Sequence, residues 1–495
     1  MKISDLLMGN STELDKLPET EIYKCSSSYI GADKNTLLFL LPGICFDTYE
    51  LIPKYLNSGA AAIVTECREK FPETDVKIIE VKSARRAFAY ALSRICGIDY
   101  EKIKIIGITG TNGKTSTATM IKRIMEQEGR KCGFIGTGKI EFMEQRFTEK
   151  NYSMTSPDPD MLYPVIKHMQ NMGCEVLVME ASSHALELEK LAPIPFEIGI
   201  FTGLSHEHLE FHGSMEKYFY AKEKLIKASK SAIINFDDTY GKKLYEKYKE
   251  KATGVGVVWQ SDVSATDVEN FGLSGIGYVY RGNNLLTKIK LPLPGLYNIY
   301  NSMMAFECAY KLNVSPKNIK MALEGIDKID GRCERIIDEL TVIIDYAHTP
   351  EALKNILKTI NCNKNQGQKT TVIFGCGGER DYKKRPIMAQ IAENLADRVI
   401  VTNDNPRNED EQKIIKEITS GFKKDNHGVI TDRESAIRYA IKNADDDEII
   451  IVEVKVHEKY IIDRNGYHDF DEKEIILSAL KSRKAERCYE NKNGC

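Results

Sequence analysis

Apolar residues fall along this chain in short, evenly scattered runs. Leu37–Leu41, Ala60–Thr65, Lys77–Val81, Ile103–Ile108, Val176–Met179, Thr341–Asp345, Thr370–Gly375, Arg398–Thr402 and Glu448–Val454 are each strand-length and rich in Ile and Val. Most give way to a Gly-rich or polar loop and then to a stretch with helical spacing, such as Ser83–Cys96. That alternation predicts an α/β fold with mainly parallel sheets. The strands group into three blocks: 1–100, 101–331 and 332–495, with Gly331 offering a hinge before the last.

Composition adds a few limits. A length of 495 residues suits about three domains at roughly 150 residues each. Lys and Arg number 69 against 72 Asp and Glu, a net charge of −3, which argues against a nucleic-acid binder but leaves small basic pockets for anions. No apolar run approaches the ~18 residues of a membrane span, so membrane insertion is not expected. The first residues carry no secretory pattern, and the twelve cysteines form no C-x-x-C pair, so a reduced, cytoplasmic chain is expected.

Ligands of parallel sheets bind beyond the carboxyl ends of the strands. The loops there are Thr109–Thr115, Glu180–His184, Thr202–His212, Asp345–Pro350, Gly375–Asp381 and Asn403–Arg407, all rich in Gly, carboxylates, His or hydroxyls. The first is the most informative. Gly110 and Gly113 let the backbone turn so that the N–H groups of Thr111, Asn112, Ser116 and their neighbours can face phosphate oxygens at a helix start. Lys114 can reach a terminal phosphate and Thr115 can hold Mg²⁺. Ile108 stands where a strict phosphate loop has its first Gly. The loop predicts ATP or GTP binding without naming a reaction.

Glu180 ends a strand, where it is either a neighbour of Thr115 or an ordinary solvated carboxylate. Three histidines within seven residues (His206, His208, His212) lack a partnering cysteine pair, which weakens a zinc reading. Lys222 lies in a predicted helix beside Glu223 and reads by itself as a solvated lysine.

The motifs recur in a known order. Gly107-Ile-Thr-Gly-Thr-Asn-Gly-Lys-Thr115, Met179-Glu-Ala-Ser-Ser-His-Ala-Leu186, Leu204-Ser-His-Glu-His-Leu-Glu-Phe-His-Gly213, Tyr297-Asn-Ile-Tyr-Asn301, Gly331-Arg-Cys-Glu334, Asp345-Tyr-Ala-His-Thr-Pro350, Gly375-Cys-Gly-Gly-Glu-Arg-Asp381, Lys384-Arg-Pro386 and Asp404-Asn-Pro-Arg407 follow one another. In sequence and spacing the chain resembles the Mur ligases, which add amino acids to peptidoglycan precursors, and is nearest to their tripeptide-forming branch. The resemblance implies a central P-loop ATPase-like domain flanked by an N-terminal nucleotide-substrate domain and a C-terminal Rossmann-like domain.

It also implies roles. ATP and Mg²⁺ would be the cofactors. Lys114, Glu180, His208, Lys222 and Arg332 would be catalytic. Thr115, Glu180, His208 and Lys222, the last as a carbamate, would serve the metal. Gly110 to Ser116, Asn298, Asn301, Arg332, Asp345, Tyr346 and His348 would bind nucleotide. Ser27, Thr155, Ser156, Ser182, Lys190, Lys222, Arg380, Asp404, Asn405, Arg407 and Glu458 would bind substrates. The expected substrates are a UDP-muramoyl-dipeptide and an amino acid, with Asp404–Arg407 the form that goes with meso-diaminopimelate. No macromolecular partner is implied, and a monomer is expected.

The departures cluster. Ser26-Ser27-Ser28 replaces a D-S-R motif, Thr155-Ser156-Pro157 a T-T-P, Lys190 an Arg, and Val454-Lys455-Val456-His457-Glu458 a G-K-G-H-E. The nucleotide loops are nearly complete while the substrate side has changed. A relative acting on a different carboxylate and amine, or a nucleotide-binding scaffold without turnover, is therefore the alternative. A folylpolyglutamate synthetase fits less well, because about a hundred residues precede the phosphate loop.

Overall fold

The computed structural model describes residues 1–11, 17, 19–44, 46–148, 154–258, 260–338, 340–453 and 459–493, with side chains to 487. Four strands, β1 (Lys24–Ser26), β2 (Thr36–Phe39), β3 (Ala62–Thr65) and β4 (Lys77–Glu80), form an all-parallel sheet in chain order. β2 and β3 are buried along their whole length, as continuous apolar runs in a doubly covered parallel sheet require. The predicted helix is Ala84–Ile95, capped by the Ser83 hydroxyl accepting from the Arg86 N–H.

The central sheet has eleven described strands. Its parallel core is built from β5 (Lys104–Thr109), β6 (Cys132–Gly136), β9 (Val176–Glu180), β10 (Phe196–Phe201), β11 (Ser229–Asn235) and β12 (Ala252–Gly256). One edge is extended by β7 (Lys139–Phe142) and β8 (Gln145–Arg146). The other is extended by β13 (Val263–Asn270), β14 (Ile276–Gly282) and β15 (Leu285–Leu291). β13 to β15 are joined antiparallel, an extension that the reading of mainly parallel sheets left out. β14 buries Tyr278 and Tyr280 against helix Leu296–Lys311, where each hydroxyl finds a partner, Ser302 and Glu307. β5 lies between β10 and β9, so its carboxyl end faces both neighbouring loops.

The third sheet has the order β16 (Glu334–Ile337), β17 (Thr341–Asp345), β21 (Ile449–Glu453), β18 (Thr370–Phe374), β19 (Arg398–Val401) and β20 (His427–Val429), parallel except for β16. A hairpin, β22 (Tyr460–Asp463) and β23 (Gly466–Asp469), follows. Among the described residues no helix is long and apolar enough to cross a membrane.

Candidate active site

The loop after β5 is tight because two glycines make it so. Gly110 has φ +151°, and a Cβ there would fall 1.8 Å from Thr202 Oγ1. Gly113, φ +85°, starts the helix Lys114–Gln127 and lies where a Cβ would come within 2.6 Å of Asn301 Oδ1. Both conformations favour residues without a side chain. Thr202 and Asn301 therefore form the walls of the loop.

Two lysines converge on one carbonyl. Lys114 Nζ donates to Gly110 O (3.0 Å) and Thr111 O (2.9 Å), and Lys222 Nζ donates to Gly110 O (2.8 Å). The solvated reading of Lys222 is wrong: its residue is 2% exposed, on the inner face of helix Met215–Ala228 with its ammonium 4.6 Å from the Tyr218 ring centre. Burial, with the nearby Lys114 charge, holds Lys222 well below the ordinary lysine range. Lys114 is lowered too, by burial against the opposing pull of Glu180.

Glu180 is likewise no solvated carboxylate. It is fully buried at the end of β9. Its Oε1 accepts from the Thr115 hydroxyl (2.9 Å) and the Thr137 N–H (3.2 Å), and its Oε2 accepts from the Thr137 hydroxyl (3.1 Å). Thr155 bonds Thr137 at 3.1 Å, and Ser156 donates to the Glu180 carbonyl at 2.8 Å while accepting from the Ser182 N–H at 3.0 Å. Thr155, Ser156 and Ser182 thus stand directly behind the carboxylate.

The third domain reaches over this loop. Arg332 NH2 donates to Thr115 Oγ1 (3.2 Å), its guanidinium lying 4.7 Å from the Tyr346 ring centre. Asn112 donates to Glu351 Oε2 (3.2 Å). Lys384 pairs with Glu207 at 3.1 Å and donates to the His348 carbonyl at 2.9 Å. Asp345 accepts from the Cys333 N–H (2.7 Å), and burial raises its carboxyl to about 6 against the opposing Arg332 charge. Between the domains opens a cleft of about 670 Å³, lined by Thr111, Asn112, Gly113, Ser116, Asn301, Arg332, Asp345 and Tyr346 among others.

Other expected residues sit elsewhere. Asn298 does not line this cleft; its amide donates to Pro294 O (2.8 Å) and its oxygen accepts from Asn301 (3.2 Å), so it braces Asn301 from behind. His348 is turned onto the Tyr346 carbonyl at 3.0 Å. His208, at φ +56°, packs its ring 4.9 Å from that of His184, and its Nδ1 lies 3.6 Å from Glu210. Burial lowers His184 to about 3 and His212 to about 4, which keeps both imidazoles neutral. Arg380 is exposed, and its charge acts on His184 and Glu210. Among the described residues no cluster of three His, Cys, Asp or Glu forms a metal cage.

Lys190 forms an ion pair with Asp158 at 2.5 Å. Ser27 follows β1, its carbonyl held by the Tyr55 hydroxyl at 2.7 Å. In the loop after β19, Arg407 (φ +53°) donates to Gly378 O at 2.7 Å, Asn405 is buried with its oxygen on the Ile462 N–H, and Asp404 flanks them. Glu458, with the rest of 454–458, lies outside the described residues.

Thr137, Thr202, Glu207, Glu351 and Lys384 were not singled out by the motifs' chemistry. Glu207 and Lys384 do lie inside quoted motifs and Thr202 opens one of the strand-end loops; Thr137 and Glu351 leave no local signal.

The model of the Mur ligase middle domain matches residues 108–309, and that of the Mur ligase glutamate ligase domain matches 331–453. A UDP-N-acetylmuramoyl-L-alanyl-D-glutamate–2,6-diaminopimelate ligase of Clostridium tetani is 37% identical over 456 residues, 90% of this chain and 92% of the relative. Its counterpart in Caldanaerobacter subterraneus is 36% identical over 485 residues, covering 97% and 99%. A solved structure of a ligase of that name superposes with a TM-score of 0.66 at 26% identity, covering 94% of this chain and 95% of the other.

Proposed function

Because this chain belongs to the Mur ligase family, we propose that it is an ATP-dependent ligase adding meso-diaminopimelate to UDP-N-acetylmuramoyl-L-alanyl-D-glutamate. The observation that carries this reading is the meeting of three elements at one turn. Lys114 and Lys222 converge on Gly110, Glu180 is held by Thr115 and Thr137, and Arg332 arrives on Thr115 from the third domain.

In this reading residues 1–100 bind the UDP moiety, 101–331 bind ATP, and 332–495 present the amino acid. The acceptor carboxylate attacks the γ-phosphorus and ADP leaves, giving an acyl phosphate. The incoming amine then attacks the acyl carbon and displaces phosphate, forming the amide. Mg²⁺ often takes one or two carboxylates plus substrate phosphates, and a buried Glu180 beside a Thr115 hydroxyl fits that habit. Bound there, the ion would neutralise phosphate charge. His208 is turned toward His184, so its role as a second metal ligand rests on the family resemblance alone.

Lys114 holds the terminal phosphate. Arg332, whose fork cannot deprotonate, steadies the charge that develops on transfer. The depressed Lys222 favours the neutral amine that CO₂ carbamylates, with loss of one proton. Closure of the third domain excludes water from the acyl phosphate.

Asn301 lies on the adenine side with Asn298 behind it, and Asp404, Asn405 and Arg407 grip the distal end of the amine substrate. The test is phosphate release with ATP, Mg²⁺, UDP-MurNAc-dipeptide and a panel of amines, with products read by mass spectrometry. ADP formation dependent on both the dipeptide and diaminopimelate is expected. Turnover with another acceptor, or nucleotide binding without turnover on any, overturns the reading.

A further inference from the structure

Within the cleft two polar atoms lie buried without a hydrogen-bond partner, Tyr297 Oη and Arg332 Nε. Buried polar groups are rarely left so, and an orphan in a binding cleft points to a ligand that completes it. Tyr297 is the more telling, because a phenol hydroxyl can both donate and accept.

The ring folds back over Gly295, where a Cβ would come within 2.5 Å of Tyr297 Cε1 and 3.1 Å of Thr359 Oγ1. It is therefore wedged beside the helix Pro350–Asn361 of the third domain, and both it and Thr359 line the cleft. Burial, then the Cys333 thiol and the Asp345 carboxylate, push the phenol well upward, so it keeps its proton.

We propose that the Tyr297 hydroxyl exchanges a hydrogen bond with a ribose hydroxyl of the bound nucleotide, and so sets a preference for ribonucleotides over their deoxy forms. The charges around the phenol favour the sugar. Tyr297 is faced by both the Asp345 carboxylate and the Arg332 guanidinium, so no net positive charge draws a phosphate to it, and the carboxylate accepts from a sugar hydroxyl. A ribose hydroxyl both donates and accepts, so it can bridge the carboxylate and the phenol.

This inference rests on the nucleotide-binding reading of the cleft. The test is calorimetric titration of wild type and Tyr297→Phe with ADP, 2′-deoxy-ADP and 3′-deoxy-ADP, alongside melting of both proteins without ligand. Wild type should bind one deoxy analogue about three- to tenfold more weakly than ADP, the range of one net hydrogen bond. Tyr297→Phe should lose that factor for ADP and lose nothing further for that analogue. Its unliganded melting temperature should stay level or rise, because an unpaired buried hydroxyl has been removed. Equal loss for all three nucleotides, no loss for any, or a lowered melting temperature without ligand would overturn the proposal. Failure of wild type to bind ADP at all would instead reject the nucleotide site itself.

Discussion

The Glu207–Lys384 pair ties the third domain to the phosphate side, and Lys384→Met should loosen that tie more than it harms either domain. Both side chains are nearly dry, 7% and 6% exposed, at 3.1 Å separation. Burial alone would lower Lys384, yet the surrounding charges and the hydrogen bond to Glu207, with the Glu207 charge foremost among them, together raise the ammonium. The lysine is bonded to Glu207 Oε1, and Glu207 Oε2 has no hydrogen-bond partner. Removing the lysine leaves a buried carboxylate uncompensated, a loss of about 3–5 kcal/mol, and strips the His348 carbonyl of its donor. The domain can escape that penalty by swinging away and letting Glu207 hydrate. The docked-to-open ratio should then fall by about two to three and a half orders of magnitude, at tenfold per ~1.4 kcal/mol. Small-angle scattering with nucleotide bound should show an expanded particle, and protease should cut at the 327–331 connection. Glu207→Leu added to Lys384→Met should restore the compact form. A single variant that keeps wild-type dimensions and ligates within twofold of normal would refute this account.

Gly110→Ala should weaken ATP binding at least tenfold and lower the melting temperature by a few degrees, since its Cβ collides with Thr202 Oγ1. Adding Thr202→Ala should recover part of both losses in the same titration and melt. Asp345 titrates at about 6 in the fold against an ordinary 3.8. The unfolded chain releases that proton first as pH climbs, so this residue withdraws up to about 3 kcal/mol of stability between pH ~4 and ~6. Urea unfolding at pH 4.5 and 7 should show that slope in wild type and a shallower one in Asp345→Asn; equal slopes would contradict it. Arg407→Ala should reduce ligation of diaminopimelate at least tenfold while sparing lysine, measured as kcat/KM for the two amines. An unchanged ratio would reject the assignment.

The strand ends were legible because their chemistry is local. Gly110, Gly113, Lys114 and Thr115 need fixed neighbours in sequence, and Glu180 follows an unbroken apolar run. Lys222 was misread from its charged neighbour, although Tyr218, Lys222, Leu225 and Ile226 keep the helical spacing that turns one face inward. That spacing was the available signal. Thr137 and Glu351 meet their partners only through tertiary packing, across 43 and 239 residues of chain, and nothing local marks them. The edge strands β13 and β15 were hidden because they mix charged, polar and apolar residues, the pattern of a half-exposed antiparallel ribbon.

One interior unites the first two sheets. Leu7, Phe88, Ala91 and Leu92 pack in the same apolar cluster as Ile105, Leu162, Ile166 and Met169, and Tyr90 and Lys167 stitch the rim through the carbonyls of Ala192 and Gly97. The third sheet keeps its own clusters, touched from outside by Leu273. Exchanging front ends between relatives should therefore fail unless the whole seam travels with them, whereas the tail can be transplanted as a cassette if its polar ties, Arg332 to Thr115, Glu351 to Asn112 and Lys384 to Glu207, are kept. New acceptor specificities would then arise by editing loops on a fixed front block, and new amine specificities by replacing a module.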